Sequence, residues 1–156
     1  MSDGIIAGIY VAAKKGAGVS GHSRVAVRAG KGIVGDRYYS ETGKNRSNYK
    51  GQADWEITLI EAEAIEQFNR NSGNQFHESD LRRNLVTRNI RLNDLVGKHF
   101  EINGTNFFGV QLCEPCASLQ KRLGVRILPD LVGKGGLRAQ ILGNGNVAVG
   151  DAVEPA

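Results

Sequence analysis

Cysteine, proline and long apolar runs are all scarce in this chain of 156 residues. Its two cysteines cannot form a disulfide framework. The longest apolar run, Gly4–Ala13, falls short of the roughly 20 residues that a membrane-spanning helix needs. Nor do basic residues precede that run, as they do in a secretory signal peptide. We therefore expect a cytoplasmic protein that does not enter a membrane.

The chain also lacks a strong charge of one sign, since 20 basic and 16 acidic side chains give a formal net charge of +4. There is no long basic run and no cluster of aromatic residues, which argues against a nucleic-acid partner. A small basic excess suits a small anionic ligand. Three scattered histidines and two cysteines give little support to a four-ligand structural zinc site.

Glycine, by contrast, is abundant, with 21 residues. This content favours turns and close backbone approaches over a helical bundle. Gly16–Gly21 and Gly30–Gly35 both match the GxGxxG pattern of dinucleotide-binding proteins. That motif acts at the start of a helix, and no helical periodicity follows either stretch, so a nucleotide-binding fold is not favoured.

Alternating hydrophobic patterns predict a series of strands. The Asn103-Gly104 turn predicts a hairpin between Lys98–Ile102 and Thr105–Leu112, and a second hairpin is expected between Leu137–Leu142 and Val147–Val153. Further strands are predicted at Gly4–Ala13, His22–Ala29 and Trp55–Ile60.

Two helices are predicted between these strands. Ile60, Ala64 and Phe68 form one apolar stripe of a helix that ends near Gly73, and its residues Glu61, Glu63 and Glu66 are interpreted as a solvated face. A second helix is expected at Ala117–Leu123, ended by Gly124. We therefore predict one mainly β domain over residues 1–156, with a strongly bent, barrel-like, antiparallel or mixed sheet and a few short inserted helices.

The residues most suited to chemistry are the two cysteines in Cys113-Glu114-Pro115-Cys116. Cys116 is predicted to lie at the start of the second helix, where free amides and the helix dipole stabilise a thiolate. Cys116 is therefore the predicted nucleophile or metal ligand. Cys113, at the end of an apolar strand, is predicted to be buried.

Two basic segments are suited to holding an anion. Arg82-Arg83-Asn84 follows a short helical signal at Glu78–Leu81 and offers forked cationic donors and an amide at a helix-to-strand junction. The stretch from Gly133 to Arg138 places Lys134 in a glycine-rich turn whose backbone amides could form an anion-binding nest. Each segment alone could equally be a surface turn with solvated cations.

These segments resemble, in order, the motifs of MOSC domains, the C-terminal domains of molybdenum cofactor sulfurases. The resemblance rests on Gly35-Asp36-Arg37, Arg82-Arg83-Asn84-Leu85-Val86, Leu95-Val96-Gly97, Cys113-Glu114-Pro115-Cys116, Gly135-Gly136-Leu137-Arg138-Ala139 and Val149-Gly150-Asp151. It implies a β-barrel-like fold and a role with the molybdenum cofactor. The family cysteine corresponds to Cys116, and the family Arg-x-Asn element corresponds to Arg82 and Asn84.

The resemblance implies that Cys116 carries sulfur as a persulfide or ligates molybdenum. The implied cofactor-binding residues are Asp36, Arg37, Arg82, Arg83, Asn84, Lys134, Gly135, Gly136 and Arg138. We expect Arg37, Arg82 and Arg138 to converge on one concave, electropositive pocket with Cys116 at its edge.

Larger members of the family carry an additional β-barrel domain or a pyridoxal-phosphate cysteine desulfurase domain. This chain has no room for either, so we expect no pyridoxal phosphate on it. The expected partners are a cysteine desulfurase or another sulfur donor, and a molybdoenzyme acceptor or an external reductase.

Three alternatives to a sulfur carrier or cofactor-binding domain remain open at this stage. The first is a molybdenum-dependent reductase of N-hydroxylated compounds, as some family members are. The second is a thiol–disulfide exchange protein, because a CxPC sequence between a strand and a helix is typical of thioredoxin-like folds. The third is a non-catalytic module that binds an anion. An activity as sulfur transferase or oxidoreductase is thus left undecided.

Overall fold

The protein, described here by a computed structural model, is built mainly from β-strands. The described residues are 4–14, 17–40, 48–49, 52–53, 56–113, 120–121, 123–124, 131 and 133–156. The strands are β1 (Ile5–Ala12), β2 (Val19–Gly21), β3 (Arg24–Arg28), β4 (Gly32–Ile33), β5 (Asn48–Tyr49), β6 (Gln52–Ala53), β7 (Ile57–Glu61), β8 (Leu85–Arg88), β9 (His99–Ile102), β10 (Thr105–Leu112), β11 (Leu137–Ile141), β12 (Gly145–Ala148) and β13 (Val153–Pro155).

Eight of these strands form one sheet that curls into a half-barrel, in the order β13-β9-β10-β11-β7-β8-β1-β2. Neighbours in this sheet run antiparallel except for β7 and β8, which are parallel. A smaller sheet has the order β12-β3-β4, and β5 pairs with β6. The predicted barrel-like, mixed β fold is confirmed.

The hydrophobic core lies between the half-barrel and the smaller sheet. Phe100 and Phe107 stack within it at a ring distance of 5.4 Å, and both are fully buried. Val25, Val27 and Val147 enter the same core from the smaller sheet. The two sheets are therefore held together mainly by burial of apolar surface.

The predicted helix after β7 is confirmed as α2 (Ala62–Ser72), the longer of the two α-helices whose full range is described. It ends where Gly73 adopts φ +76° and donates its N–H to the Asn69 carbonyl, as a C-terminal glycine does. Its side chains Ile65 and Phe68 pack with Ile60 and Val86, on the face of β7 and β8 opposite the main core. The connection between the two parallel strands is thus packed against their outer face.

The shorter helix, α1 (Arg37–Ser40), is a single turn that follows the second GxGxxG match. A 3₁₀ turn, Leu92–Leu95, separates β8 from β9. No helix in the described part of the chain is long and apolar enough to cross a membrane.

The predicted Asn103-Gly104 hairpin is confirmed. Residues Thr105 to Phe108 of β10 pair in antiparallel register with Ile102 to His99 of β9. Both turn residues have positive φ, +51° for Asn103 and +75° for Gly104, as a two-residue type I′ turn requires.

The second predicted hairpin is wrong. Leu142 donates its N–H to the Asn106 carbonyl and so continues along β10, while Asn144 accepts the N–H of Ala29 in the smaller sheet. The following strand, β12, pairs with β3 rather than with β11. The glycine-rich segment is therefore a crossing between two sheets, and it brings Val147 into the core from the smaller sheet.

Candidate functional site

Asn84 lies directly before β8 and joins three strands through its side chain. Its Oδ1 accepts hydrogen bonds from the Thr58 N–H at 3.0 Å and the Thr58 hydroxyl at 3.2 Å. Its Nδ2 donates to the Tyr10 carbonyl at 3.2 Å. Since Asn84 is fully buried, its amide acts within the protein and ties β1 and β7 to the start of β8.

Asp36 and Arg37 form a buried ion pair beside this junction, with Nη1 and Oδ1 3.3 Å apart. Asp36 accepts the N–H groups of Ala12 and Tyr38. The Arg37 guanidinium stacks over the Tyr38 ring and donates to the Arg82 carbonyl at 3.3 Å. Both residues are therefore committed to fixing α1 against β1 and against the segment before β8.

Arg82 itself has φ +62°, a conformation that is strained for a residue with a side chain. Its Nη1 donates to the Ala17 carbonyl at 2.6 Å, in the segment between β1 and β2. The backbone of Arg82 thus contacts Arg37, while its guanidinium reaches a different loop. Of the three arginines expected to converge, these two are brought together by the fold.

Arg83 links three parts of the chain that are far apart in sequence. Its Nε donates to the Gly135 carbonyl at 2.8 Å and its Nη2 to the Cys113 carbonyl at 3.1 Å. Its Nη1 donates to the Leu81 carbonyl at 3.2 Å. Cys113 is anchored further by its own N–H, which donates to the Gly136 carbonyl at 2.7 Å. The three basic and thiol-bearing segments singled out in the sequence therefore meet at Arg83.

Cys113 is 2% exposed, which confirms the prediction that it is buried. Cys116 lies outside the described residues, as do the start of the predicted helix at Ala117 and the rest of the segment 114–119. At the other end of that helix, Gly124 has φ +72° and donates its N–H to the Gln120 carbonyl at 3.0 Å. This is the predicted glycine end of a helix.

Arg138 is connected to Asn84 through the sheet. On β11 it stands opposite Thr58 of β7 on one side and Gln111 of β10 on the other. Directly opposed residues in antiparallel strands point to the same face, so Arg138 shares a face with the hydroxyl that contacts Asn84. Arg138 is partly buried, as are Arg82 and Arg83.

Gly136 explains why the loop before β11 can approach β7. It has φ +112°, and a Cβ at this position would lie well inside the contact distance of the Leu59 carbonyl oxygen. Only glycine fits this approach. Gly136 and Gly135 therefore act through their backbone, Gly135 by offering its carbonyl to Arg83.

Lys134 is the predicted residue that the fold places apart from the others. It is exposed, and its Nζ lies 3.4 Å from Oε1 of Gln67 on α2. It lines a cavity of about 250 Å³ together with Glu61 at the end of β7. Glu61 lies three residues beyond Thr58, which is about 10 Å along a strand.

The roles of Thr58, Glu61 and Glu63 were not predicted from the sequence. Thr58 sits in an alternating strand, and nothing in that pattern identifies a hydroxyl that binds a distant amide. Glu63 accepts the Asn89 N–H and Glu61 accepts the Leu92 N–H, and both are partly buried, so the solvated-face interpretation is wrong for these two. It holds for Glu66, whose side chain is 45% exposed.

Burial raises the pKa of the Asp36 carboxyl above its ordinary value, although the neighbouring Arg37 opposes that shift. The folded state then keeps a proton over a pH range in which the unfolded chain has released it, so stability falls as pH rises through this range. We expect wild type to lose stability relative to Asp36→Asn as pH rises from about 4 through the raised pKa.

Urea unfolding of both proteins at closely spaced pH values measures this difference. Asp94→Asn is the matched control, since the Asp94 side chain is 65% exposed, and its stability should follow that of wild type. A difference between wild type and Asp36→Asn that stays constant with pH would contradict the burial argument.

In comparisons with known proteins, the chain matches the MOSC domain over residues 46–154. It shares its fold with the YuaD protein from Bacillus subtilis, with a TM-score of 0.80, 17% identity, and coverage of 99% of this chain and 96% of that one. YiiM from Geobacillus stearothermophilus has a TM-score of 0.72 and 17% identity, with 98% and 75% covered. YiiM from Escherichia coli has a TM-score of 0.67 and 16% identity, with 99% and 69% covered. No curated protein matches the chain.

Proposed function

Because the chain belongs to the MOSC domain family, whose members are associated with the molybdenum cofactor, we propose that it acts on sulfur or on that cofactor through the Cys116 thiolate. Cys116 carries a persulfide in the first case and ligates molybdenum in the second. The supporting observation is the position of Arg83, which joins the strand end leading to Cys116 to the loop before β11.

The charge of Arg83 is available to an anion. Its guanidinium has five N–H groups, and three of them donate to carbonyl oxygens. No carboxylate among the described residues pairs with it. A partly buried cation that is oriented by neutral acceptors favours an anionic ligand such as a phosphate.

The oriented positive charge of Arg83 fits the anionic part of the molybdenum cofactor. Arg83 would hold its phosphate, with Arg82 and Arg138 as partly exposed cations on neighbouring segments. Buried side chains hold the backbone that carries these cations in place, namely Asp36, Arg37 and Asn84. Arg37, for example, donates to the Arg82 carbonyl. When bound, the cofactor supplies a redox-active molybdenum centre with sulfur ligands.

In the carrier role, the Cys116 thiolate attacks the outer sulfur of a donor persulfide. The new sulfur–sulfur bond forms on Cys116 as the donor's own sulfur–sulfur bond breaks, and the donor leaves as a thiolate. A thiolate of the acceptor then attacks the outer sulfur, so the sulfur–sulfur bond on Cys116 breaks as a new one forms on the acceptor, and Cys116 returns to the thiolate. A cysteine desulfurase is the class of donor proposed, and a molybdoenzyme is the class of acceptor.

Thiol–disulfide exchange is less well supported. Such a protein needs a second thiol that can reach the mixed disulfide. Cys113 is 2% exposed and its backbone is bonded on both sides, to Gly136 and to Arg83. A buried, anchored thiol is poorly placed for that role.

The test is chemical analysis of the protein purified from a host that makes the cofactor. Stoichiometric molybdenum and pterin would support the cofactor-bound form, including a reductase of N-hydroxylated compounds, and cyanide-labile sulfur without molybdenum would support the carrier. Absence of both would contradict the proposal.

Arg83→Met should lower the retained cofactor or sulfur several-fold, since it removes the oriented cation and keeps an apolar side chain of similar length. Arg70→Met is the matched control, because Arg70 is exposed on α2, and it should retain the wild-type content. Equal losses in both variants would mean that Arg83 has no specific role.

A further inference from the structure

A second cavity lies on the α2 side of the loop before β11, and it shares Lys134 and Gly136 with the residues that the family resemblance implies for the cofactor. It has a volume of about 250 Å³ and is lined by the start of α2, the 3₁₀ turn and the loop before β11. The side chains that define its chemistry are Glu61, Glu63, Gln67, Arg91, Asn93 and Lys134. Its walls are tied together where the Asn93 Nδ2 donates to the Gly133 carbonyl at 2.8 Å.

The two carboxylates leave acceptor capacity unused. Glu61 and Glu63 each commit Oε2 to one backbone N–H, at 3.1 Å and 2.8 Å. Oε1 of Glu63 is shielded from solvent and has no hydrogen-bond partner among the described residues. A buried carboxylate oxygen without a donor is costly, and an incoming N–H group relieves that cost only when the Glu63 side chain turns toward the cavity.

Burial also raises the pKa of Glu61 above its ordinary value. Glu61 and Glu63 also border an adjoining cavity of about 410 Å³. Both carboxylates therefore stand in partly desolvated positions, where a positively charged group gains most from contact with them.

Cations supply the opposite charge in the same cavity. Arg91 is 81% exposed, with Asp94 3.8 Å away, and Lys134 lies 3.4 Å from the Gln67 oxygen. Two carboxylates and two cations make the lining close to neutral in total. Such a lining disfavours a simple anion, and no three metal-ligating side chains cluster in the described part of the chain.

We propose that this cavity binds a small zwitterion, namely a free α-amino acid. Its ammonium group contacts Glu61 and Glu63, and its carboxylate contacts Arg91 and Lys134. The cavity has about the volume that eight water molecules occupy in the liquid, which is sufficient for a small amino acid. This inference does not depend on Cys116.

The experiment is a titration of ¹⁵N-labelled full-length protein with each common α-amino acid, with ethylamine and with acetate. At least one amino acid should shift the amide resonances of residues 61–67 and 133–136. Ethylamine carries only the ammonium group and acetate only the carboxylate. Each should bind at least about tenfold more weakly than the amino acid, because it lacks one set of charge-assisted hydrogen bonds.

Paired variants test the two ends of the ligand separately. Glu63→Gln should weaken amino-acid binding about tenfold or more, whereas Glu66→Gln, on the same helix but outside the cavity, should not change it. Arg91→Gln should weaken the binding of the amino acid and leave the binding of ethylamine unchanged. The last variant keeps the test valid if Glu63→Gln folds poorly.

The proposal is overturned if no amino acid shifts these amides at about 10 mM. It is also overturned if ethylamine binds as tightly as the best amino acid, or if Glu66→Gln loses as much affinity as Glu63→Gln. Repeating the titration on Cys116→Ser should give unchanged binding. Failure of the sulfur or cofactor role would therefore leave this result intact.

Discussion

Replacing Cys116 by serine is expected to reduce cyanide-labile sulfur and bound molybdenum to background. The thiolate is the reactive and metal-binding form of cysteine, and a serine hydroxyl does not ionise near neutral pH. Cys113→Ala should retain most of either content, because the Cys113 sulfur is buried and its backbone contacts to Gly136 and Arg83 do not need a side chain. Sulfur and metal analysis of both variants, purified side by side, measures the difference.

Rate-resolved alkylation provides an independent check on the same pair. Cys116 should be labelled first, and Cys113 should become reactive only as the protein unfolds, since it is 2% exposed. Cys113→Ala is expected to cost about 1–2 kcal/mol of stability through the small cavity it leaves, so both variants must be compared while folded. Faster labelling of Cys113, or equal dependence of function on both thiols, would contradict the proposed role of Cys116.

Replacing Asn84 by alanine is expected to lower the free energy of unfolding by about 2–4 kcal/mol. The substitution removes three hydrogen bonds, two to Thr58 and one to the Tyr10 carbonyl, in a fully buried position. The Thr58 N–H and the Tyr10 carbonyl would then be left without the partner they now have. Urea unfolding measures the loss.

Asn106→Ala is the matched control, because Asn106 is exposed on β10 and should lose less than about 0.5 kcal/mol. If Asn84→Ala proves as stable as wild type, the amide does not hold the three strands together.

Local sequence signals predicted those parts of the fold that depend on neighbours along the chain. The Asn103-Gly104 turn specifies its own backbone conformation, so the pairing of β9 with β10 follows directly. The helix α2 is similarly specified by an apolar stripe and a terminal glycine. Each of these elements lies within about a dozen residues.

Pairings between distant segments were not predictable in this way. Nothing near residues 143–146 indicates that β12 must join β3, because the requirement comes from a core shared with Val25 and Val27. The contact of Arg83 with Gly135 spans 52 positions, and that of Asn84 with Tyr10 spans 74. The residue types singled out Arg83, Asn84 and Lys134 alike. Only the fold separates Arg83, which contacts the Cys113 carbonyl, from the buried Asn84 and from Lys134 beside α2.

The two margins of the half-barrel determine where another chain could add a strand. An open sheet offers unpaired backbone groups along its outer strands, where another chain can add a strand. Here the outer strands, β2 and β13, have only three residues each. β13 ends in Pro155, which has no N–H to donate, and β2 ends in Gly21. β13 is also bonded on its outer side to the start of β1, because Ile5 bridges Ala152 and Val153 donates its N–H to the Gly4 carbonyl at 2.8 Å. Little unpaired backbone is therefore left on that side for strand addition.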